Sequence, residues 1–342
     1  MTRRIRYDAW SPTDTGAPGA ALDASTWTSP WCDVGFRFTE LVPSWSATTP
    51  PGTWIEIRVI DGEGRPHPIA LWTSDDDPDH RTSLPGDDEV DTDVWRPTGG
   101  AEGYRLSVVS HSWGTTQPGR PSQARQSSGP DRPVVHRLGA VVSAGHVRTT
   151  TSASRGAAAV LDVPRLSQMT WRDVGGLGWC SPTAVAMVLA HAGRLPRGTD
   201  IPAVARQVHD PAYGGTGNWP FNTAWAAALV DQAFVTRLHD LGEAEAFVRA
   251  GIPLVASVAF PAGGLPGAPT RATDGHLVVI RGFTEAGDVV VNDPAAPTER
   301  SVRRTYGRAA FERAWLQGSG GLVYVLHRND QALPPPGPGA AW

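Results

Sequence analysis

The sequence contains no lysine, because all thirty basic residues among its 342 are arginine. This absence excludes the phosphate-binding lysine of P-loop proteins and every reaction that passes through a lysine Schiff base or a lysine-linked cofactor. Hydrolases with a thiol nucleophile need no lysine. The composition is therefore compatible with thiol hydrolases and excludes the classes of protein that need a lysine.

Cysteine is almost as scarce, with only Cys32 and Cys180 in the chain. The two lie far apart in segments of different character, so we expect no disulfide framework. Histidine and cysteine never fall at the short spacings of zinc ligands, which argues against a metal hydrolase. We accordingly expect no metal and no cofactor.

The chain also lacks an excess of positive charge and long apolar runs. Its formal net charge is −4 and its sequence pI is about 6.2, with scattered arginines, so nucleic acid is not an expected partner. No run reaches transmembrane length, and the segment after Met1 has no apolar stretch for a signal peptide. The sequence as written predicts a soluble, cytoplasmic protein and leaves the oligomeric state open.

The length favours two domains, because 342 residues exceed what one hydrophobic core usually serves. In the first half, short β-prone runs alternate with turn clusters, a pattern typical of a small β-sandwich. The runs are 35–41, 53–60, 69–72, 104–110 and 134–147. We predict an all-β, sandwich-like accessory domain over residues 1–150, with a flexible polar stretch at 114–133.

The second half shows helical patterns first and strands afterwards, and this order predicts an α+β domain over residues 156–330. Its first helix is expected to begin at Ser181 as the capping residue, with Pro182 at the first helical position and Gly193 as the stop. The other predicted helices are 201–208, 221–233, 243–250 and 309–316, and the predicted strands are 254–260, 276–283, 288–292 and 322–327. A proline-rich tail follows at 331–342.

Cys180 is the candidate nucleophile, because it directly precedes a predicted helix. The free N–H groups and the dipole of a helix N-terminus lower the pKa of a thiol, and only the thiolate is a strong nucleophile. The alternative is a small buried hydrophobic residue, which is what most lone cysteines are. An adjacent tryptophan, serine and proline, rather than an apolar stripe, favour the nucleophile.

His276 is the candidate base, since it opens a predicted strand after a glycine and so lies at the edge of a sheet. Asp293, at the end of the next strand, is the candidate that orients the imidazole, with Asn292 as the second choice. Simple counting through the intervening turn puts Asp293 opposite Ile280 rather than His276. A bulge or a wider loop must therefore close the gap, and an ordinary Asn-Asp turn stays an alternative.

Gln168 is the candidate oxyanion donor beside the backbone N–H of the nucleophile. It lies twelve residues before Cys180, and the spacing is filled partly by Gly175-Gly-Leu-Gly. A glutamine alone carries no functional signal, so this assignment depends on the residues around it.

Four segments together resemble cysteine peptidase family thirty-nine, the bacteriocin-processing type, in its free-standing actinobacterial branch. They are Val163-Pro-Arg-Leu-Ser-Gln, Trp179-Cys-Ser-Pro-Thr, Asp274-Gly-His-Leu-Val-Val and Val291-Asn-Asp-Pro. Stretches at 43–45, 51–54 and 80–83 resemble the accessory region of the same proteins. The resemblance implies a papain-like fold, a Cys180, His276 and Asp293 triad, and Gln168 as oxyanion donor. The resemblance also leaves secretion as an alternative to a cytoplasmic location. The sequence departs from the family in the spacing between Gln168 and Cys180, which is wider than in the bacteriocin-processing enzymes.

Such a site acts by acyl transfer through a thioester, with a peptide or protein amide as the expected substrate. Amidases and transpeptidases use the same constellation and differ in the acceptor, so both stay open. A different class of hypothesis is a non-catalytic module that binds a surface polymer or cell wall through tryptophans of the first half. Trp45, Trp54, Trp72 and Trp95 are its candidates, although aromatic residues at strand spacing are more often core.

An acidic stretch from Asp75 to Asp79, followed by Asp87, Asp88 and Asp91, has the residue type that calcium prefers. It lacks the regular ligand spacing with a central glycine. The sequence therefore favours a solvated loop over a calcium site.

Overall fold

The computed structural model of the chain describes residues 3–12, 20–21, 25–84, 86, 88–112, 132–147, 150–156, 158–337 and 339–342. The polar stretch predicted at 114–133 lies almost wholly outside these residues. Strands dominate the first half of the described chain, and strands mix with helices in the second, in agreement with the expected classes.

The first half contributes twelve of the strands in the described residues. They are β1 (Arg4–Trp10), β2 (Ala20–Ala21), β3 (Thr26–Thr28), β4 (Cys32–Phe38), β5 (Glu40–Thr48), β6 (Thr53–Ile60), β7 (Pro66–Trp72), β8 (Thr82–Ser83), β9 (Val90–Asp91), β10 (Val94–Trp95), β11 (Ala101–Ser112) and β12 (Val134–Ala144). One sheet has the order β1-β12-β5-β10-β9, and the other has the order β2-β3-β11-β6-β7-β8 with β4 also paired to β11.

The two sheets face each other across a core rich in tryptophan. Buried and half-buried residues alternate along β6, as expected for a strand with one face in a core. Trp45 of β5 meets Trp72 of β7 edge-on, with ring centroids 6.1 Å apart. Trp45, Trp72 and Trp95 are each at most 2% exposed. These three therefore belong to the core and form no binding platform, whereas Trp54 is half-buried against His111.

The second half folds around one antiparallel sheet with helices on both faces. Its elements are β13 (Ala159–Val160), α1 (Cys180–His191), α2 (Ile201–Val208), α3 (Trp219–Ala227), β14 (Gln232–Arg237), α4 (Leu241–Arg249), β15 (Leu254–Phe260), β16 (Thr273–Phe283), β17 (Val289–Asn292), β18 (Arg303–Tyr306), α5 (Arg308–Ser319) and β19 (Leu322–His327). The sheet order is β14-β19-β15-β16-β17-β18, with β13 on β16. α1 packs with Leu277 and Val279 of β16, and α4 and α5 pack with Val278 and Ile280.

The two halves share a core and polar contacts. Phe221 of α3 lies among the residues of the first core, with its ring 6.0 Å from that of Trp45. The N–H of Val235 donates to Ser44 Oγ, and the N–H of Ser83 donates to Asp210 Oδ1. The first half is thus packed directly against α3, β14 and the loop after α2.

Several expected elements differ from those observed. Ser181 does not cap the first helix, because the helix begins at Cys180 with Trp179 as its N-cap, two residues before the predicted cap. The helix expected over 221–233 ends at Ala227, and the chain then forms β14 beside β19. By contrast, the helix at 201–208 and the strands at 254–260 and 322–327 have the bounds expected from the sequence.

Candidate active site

Cys180 begins α1 and is partly exposed, after two short 3-10 turns at 168–174 and 176–178. Gly175 joins the turns with φ of 112°, a conformation that favours glycine. Gly176 has no room for a side chain, because a Cβ would lie 2.4 Å from the carbonyl oxygen of Gln168. The hydroxyl of Ser181 lies 3.0 Å from that of Tyr324 and ties the first helical turn to β19. Local backbone geometry thus fixes the thiol at a helix N-terminus.

His276 lies in β16 with only 5% of its surface exposed, opposite Val258 of β15. Its Nε2 is 2.8 Å from Oδ1 of Asp293. Because Nε2 is engaged there, Nδ1 is the ring nitrogen left for the thiol of Cys180, which interacts with this imidazole. The structure therefore brings Cys180, His276 and Asp293 together in the order that the sequence predicts.

A bulge moves Asp293 towards His276. The pairing of β16 with β17 shifts between Ile280 and Gly282, so Val291 lies opposite Ile280 and Asn292 lies opposite Val279. Simple counting, which put Asp293 opposite Ile280, is wrong, because the pairing of Phe283 with Val289 already differs from it by one residue and the bulge shifts the register by one more.

Three further hydrogen bonds hold the Asp293 carboxylate and backbone. The hydroxyl of Tyr306 donates to Oδ2 at 2.7 Å, and the N–H of Ala295 donates to Oδ1 at 3.0 Å. The N–H of Asp293 itself donates to the carbonyl of Val302. Sequence reasoning did not identify Tyr306, because the short strand that carries it was not predicted.

The electrostatics favour an ion pair between the thiol and the imidazole. Burial opposes protonation of His276, but the charge and hydrogen bond of Asp293 prevail and raise the pKa of His276 to about 10. Burial likewise opposes ionisation of Cys180, yet the hydrogen bond and charge of His276 and the N–H groups of Leu277 and Ser181 lower the pKa of the thiol. Despite burial, the charge and hydrogen bond of His276 hold the pKa of Asp293 below its usual value.

Gln168 is buried and lines the same cleft as Cys180, but its amide already has partners. Nε2 donates to the carbonyls of Gly176 and Leu177, each at 2.9 Å, so both of its hydrogens bind the loop before α1. Oε1 is buried with no hydrogen-bond partner among the described residues. In this arrangement Gln168 clamps the loop that carries the nucleophile.

Asn292 does not orient His276. Its Nδ2 donates to the carbonyls of Val163 and Pro164, at 3.3 and 2.8 Å. The side chain is fully buried and fastens the segment that leads to Gln168. Asp293 alone of the two candidates contacts the imidazole.

Cys180 and His276 both line one cleft of about 1180 Å³. Tyr213, about half exposed, lines it, and the hydroxyl of Thr216 donates to the carbonyl of Gly178 just before the nucleophile. The first half adds Asp93, which accepts the N–H of Trp219 at 2.7 Å and whose pKa burial raises to about 7. Both halves of the chain thus form the walls of the cleft.

The acidic stretch makes turn contacts. Asp75 accepts the N–H of Gly52, and Asp77 caps the turn at 78–80. Across the part of the chain that the structure describes, no group of three or more histidine, cysteine or carboxylate side chains could hold a metal ion. In the same residues, no helix has both the length and the apolar character needed to span a membrane.

A cysteine at a helix N-terminus beside a histidine and carboxylate pair is the arrangement of a cysteine hydrolase. The model of the Peptidase C39-like family matches residues 160–322, and that of the actinobacterial Peptidase C39 N-terminal domain matches residues 2–143. Residues 160–322 therefore belong to the Peptidase C39-like family and residues 2–143 to the matching N-terminal domain family, so the resemblance seen in the motifs is confirmed. No curated protein was found to match it.

Proposed function

We propose that the chain is a papain-like cysteine peptidase that acts through Cys180, His276 and Asp293. The observation that carries the proposal is the 2.8 Å contact between His276 Nε2 and Asp293 Oδ1 in the cleft that holds Cys180. A carboxylate in this position fixes the imidazole with Nδ1 directed to the thiol, as the reaction requires. Membership of a peptidase family supports a peptide or protein substrate.

The reaction begins when the thiolate of Cys180 attacks the carbonyl carbon of an amide. The tetrahedral intermediate then collapses, the C–N bond breaks, and Nδ1–H of His276 protonates the departing nitrogen. A thioester remains on the sulfur. Nδ1 next removes a proton from water, the water oxygen attacks the thioester, and the carboxylic acid leaves as the thiolate is restored.

The first test is alkylation of Cys180 by iodoacetamide as a function of pH. We expect fast alkylation to persist well below the pKa of about 8.5 of a free thiol, and to be lost in His276→Ala. Cys32 is an internal control, because it is buried and burial together with Asp8 raises its pKa to about 12. Peptide mass spectrometry reports both cysteines in one sample.

Slow alkylation of Cys180 that follows Cys32 would contradict the proposal and favour a non-catalytic binding module. If Cys180 is alkylated fast but the protein cleaves no peptide in a mixture of peptides, the result would indicate an activated thiol that acts on amides other than peptides. Amidases and transpeptidases are then separated by product mass, since transfer to an added amine yields a new amide and hydrolysis yields an acid.

Stabilisation of the oxyanion is assigned to the N–H of Cys180 and to Gln168. The proposal requires one amide hydrogen of Gln168 to move from the carbonyl of Leu177 to the substrate oxygen. Gln168→Ala is expected to lower kcat by roughly 10²–10³, whereas Cys180 alkylation, which forms no oxyanion and depends on Gln168 only through the loop, should fall by much less. Gln331→Ala is the control, because it removes an amide that donates to Ala250. A matching fall in alkylation would mean that Gln168 only holds the loop.

A further inference from the structure

Three arginines converge on one carboxylate in the same cleft. Nη2 of Arg237 lies 3.0 Å from Oε2 of Glu40, and Nε of Arg96 lies 3.5 Å from its Oε1. Arg3 is close enough for its charge to act on both Arg237 and Glu40. Arg96 also pairs with Asp91, whose side chain is 73% exposed. These five side chains line the cleft and are called the arginine cluster below.

The three arginines of the cluster carry more positive charge than its two carboxylates, Glu40 and Asp91, neutralise. Arg3 is 91% buried, since 9% of it is exposed, and its Nη1 has no hydrogen-bond partner in the described chain. Burial and repulsion by Arg237 lower the pKa of Arg3 to about 9 despite the attraction of Glu40. A buried guanidinium N–H without an acceptor costs free energy, and a further carboxylate, supplied by a ligand, would relieve that cost.

A series of contacts through β15 and the end of α5 connects the cluster to His276. His276 pairs with Val258 of β15, and the preceding residue, Ser257, lines the cleft. The hydroxyl of Ser319 donates to the carbonyl of Ser257, and Arg237 donates to the carbonyl of Ser319. The cluster therefore lies further along the cleft wall that starts at His276, where a bound peptide would extend.

We propose that the arginine cluster is a subsite for a carboxylate of the peptide substrate, either an acidic side chain or the C-terminal carboxylate. The planar guanidinium matches a carboxylate with two parallel N–H donors, and such charged hydrogen bonds are among the stronger ones in proteins. Glu40 holds Arg237 and Arg96 in place, and Arg3 has an N–H with no acceptor among the described residues. This subsite rests on the proposed peptidase function and makes the N-terminal half a part of substrate recognition.

The test measures binding of rhodamine-labelled peptide pools to full-length Cys180→Ala by fluorescence anisotropy. Each pair of pools has glutamate or glutamine at one fixed position and is otherwise identical. Every pool is made twice, once with a free C-terminus and once with an amidated one. We expect about tenfold tighter binding of glutamate at one position, or of the free C-terminus, corresponding to one charged hydrogen bond. The two arms distinguish a side-chain carboxylate from a terminal one.

Variants then assign the preference to the cluster. Arg3→Gln and Arg96→Gln should each reduce the tenfold preference to less than threefold, whereas Arg197→Gln, an exposed arginine outside the cleft, should retain it. Arg96 is 42% exposed in its side chain, so its variant provides the test even if Arg3→Gln does not fold. Equal binding of all pools, no binding by any pool, or a preference that survives both substitutions would overturn the subsite.

Cleavage by the unmodified chain separates this outcome from that of the proposed function. The same pools are incubated with the wild-type chain and analysed by mass spectrometry. Cleavage with no glutamate or C-terminal preference would reject the subsite and retain the peptidase. A preference in binding with no cleavage would retain the subsite and reject the peptidase.

Discussion

At the scale of single residues, the charge of Asp293 decides whether His276 is protonated. Its carboxylate accepts from Tyr306 and Ala295 and contacts the imidazole, so it stays ionised although it is only 1% exposed. A buried carboxylate without these donors would become neutral and lose its hold on the histidine. The orientation and the charge of the base thus depend on the same oxygen atoms.

Asp293→Asn is expected to lower kcat/KM by at least about 100-fold, because an amide neither fixes the tautomer of His276 nor stabilises its positive charge. The pKa of His276, about 10 with the carboxylate present, should fall without it. The alkaline limb of the pH profile reports loss of the imidazolium and should therefore move to lower pH. Asp200→Asn, at the cap of α2, is the control. An unchanged alkaline limb would contradict the role of Asp293.

The same residues show where sequence reasoning about the site ends. Cys180, His276 and Asp293 were identified from a predicted helix start, strand start and strand end, although β16 in fact begins at Thr273, three residues before His276. The hydrogen bonds of Gln168 and Asn292 were not, because their acceptors are backbone carbonyls whose positions depend on the folded loops. Tyr306 lies thirteen residues after Asp293 with no motif that connects the two.

At the scale of elements, the loop before α1 controls the position of the nucleophile. Its two short turns are wound closely enough that Gly176 touches the backbone of Gln168 and Trp171. Both amide hydrogens of Gln168 donate to backbone carbonyls within this loop. The wide spacing between Gln168 and Cys180 is therefore filled by a compact structure.

Gly176→Ala is expected to displace this loop, because the new Cβ would meet backbone atoms 2.4 to 2.7 Å away that cannot turn aside. The alkylation rate of Cys180 should fall at least about tenfold at neutral pH as the thiol leaves the helix N-terminus and the imidazole. Gly178→Ala is the matched control in the same loop, since its Cβ would have no neighbour within 4 Å. Equal rates in both variants would show that the loop does not position the thiol.

Element boundaries show what local pattern predicts and where packing overrides it. The helix at 201–208 has a capping aspartate, a proline at its start and an amphipathic pattern, and it was placed correctly. The run after Trp225 is rich in alanine and reads as helix, but residues 232–237 pair with β19 instead. Pairing with a distant strand thus prevails over local helix propensity, and this pairing cannot be read from a single sequence.

At the scale of the whole molecule, the two halves behave as one packed unit around α3. Phe221 is fully buried between Trp45 and Trp72, with ring centroids 6.0 and 5.2 Å away. The division into residues 1–150 and 156–330 stays a prediction about folding units. A core that crosses it implies that the N-terminal half supports the cleft as well as lining it.

Phe221→Ala is expected to destabilise the protein by about 3–5 kcal/mol, because the cavity removes contacts on both sides of the junction. Hydrogen exchange should accelerate in β5 and β7 as well as in α3. Phe311→Ala is the matched control, since Phe311 is equally buried but packs among the helices and strands of the second half. If β5 and β7 stayed protected from hydrogen exchange in Phe221→Ala, the two halves would be energetically independent. The N-terminal half would then affect the cleft only through the side chains that it contributes.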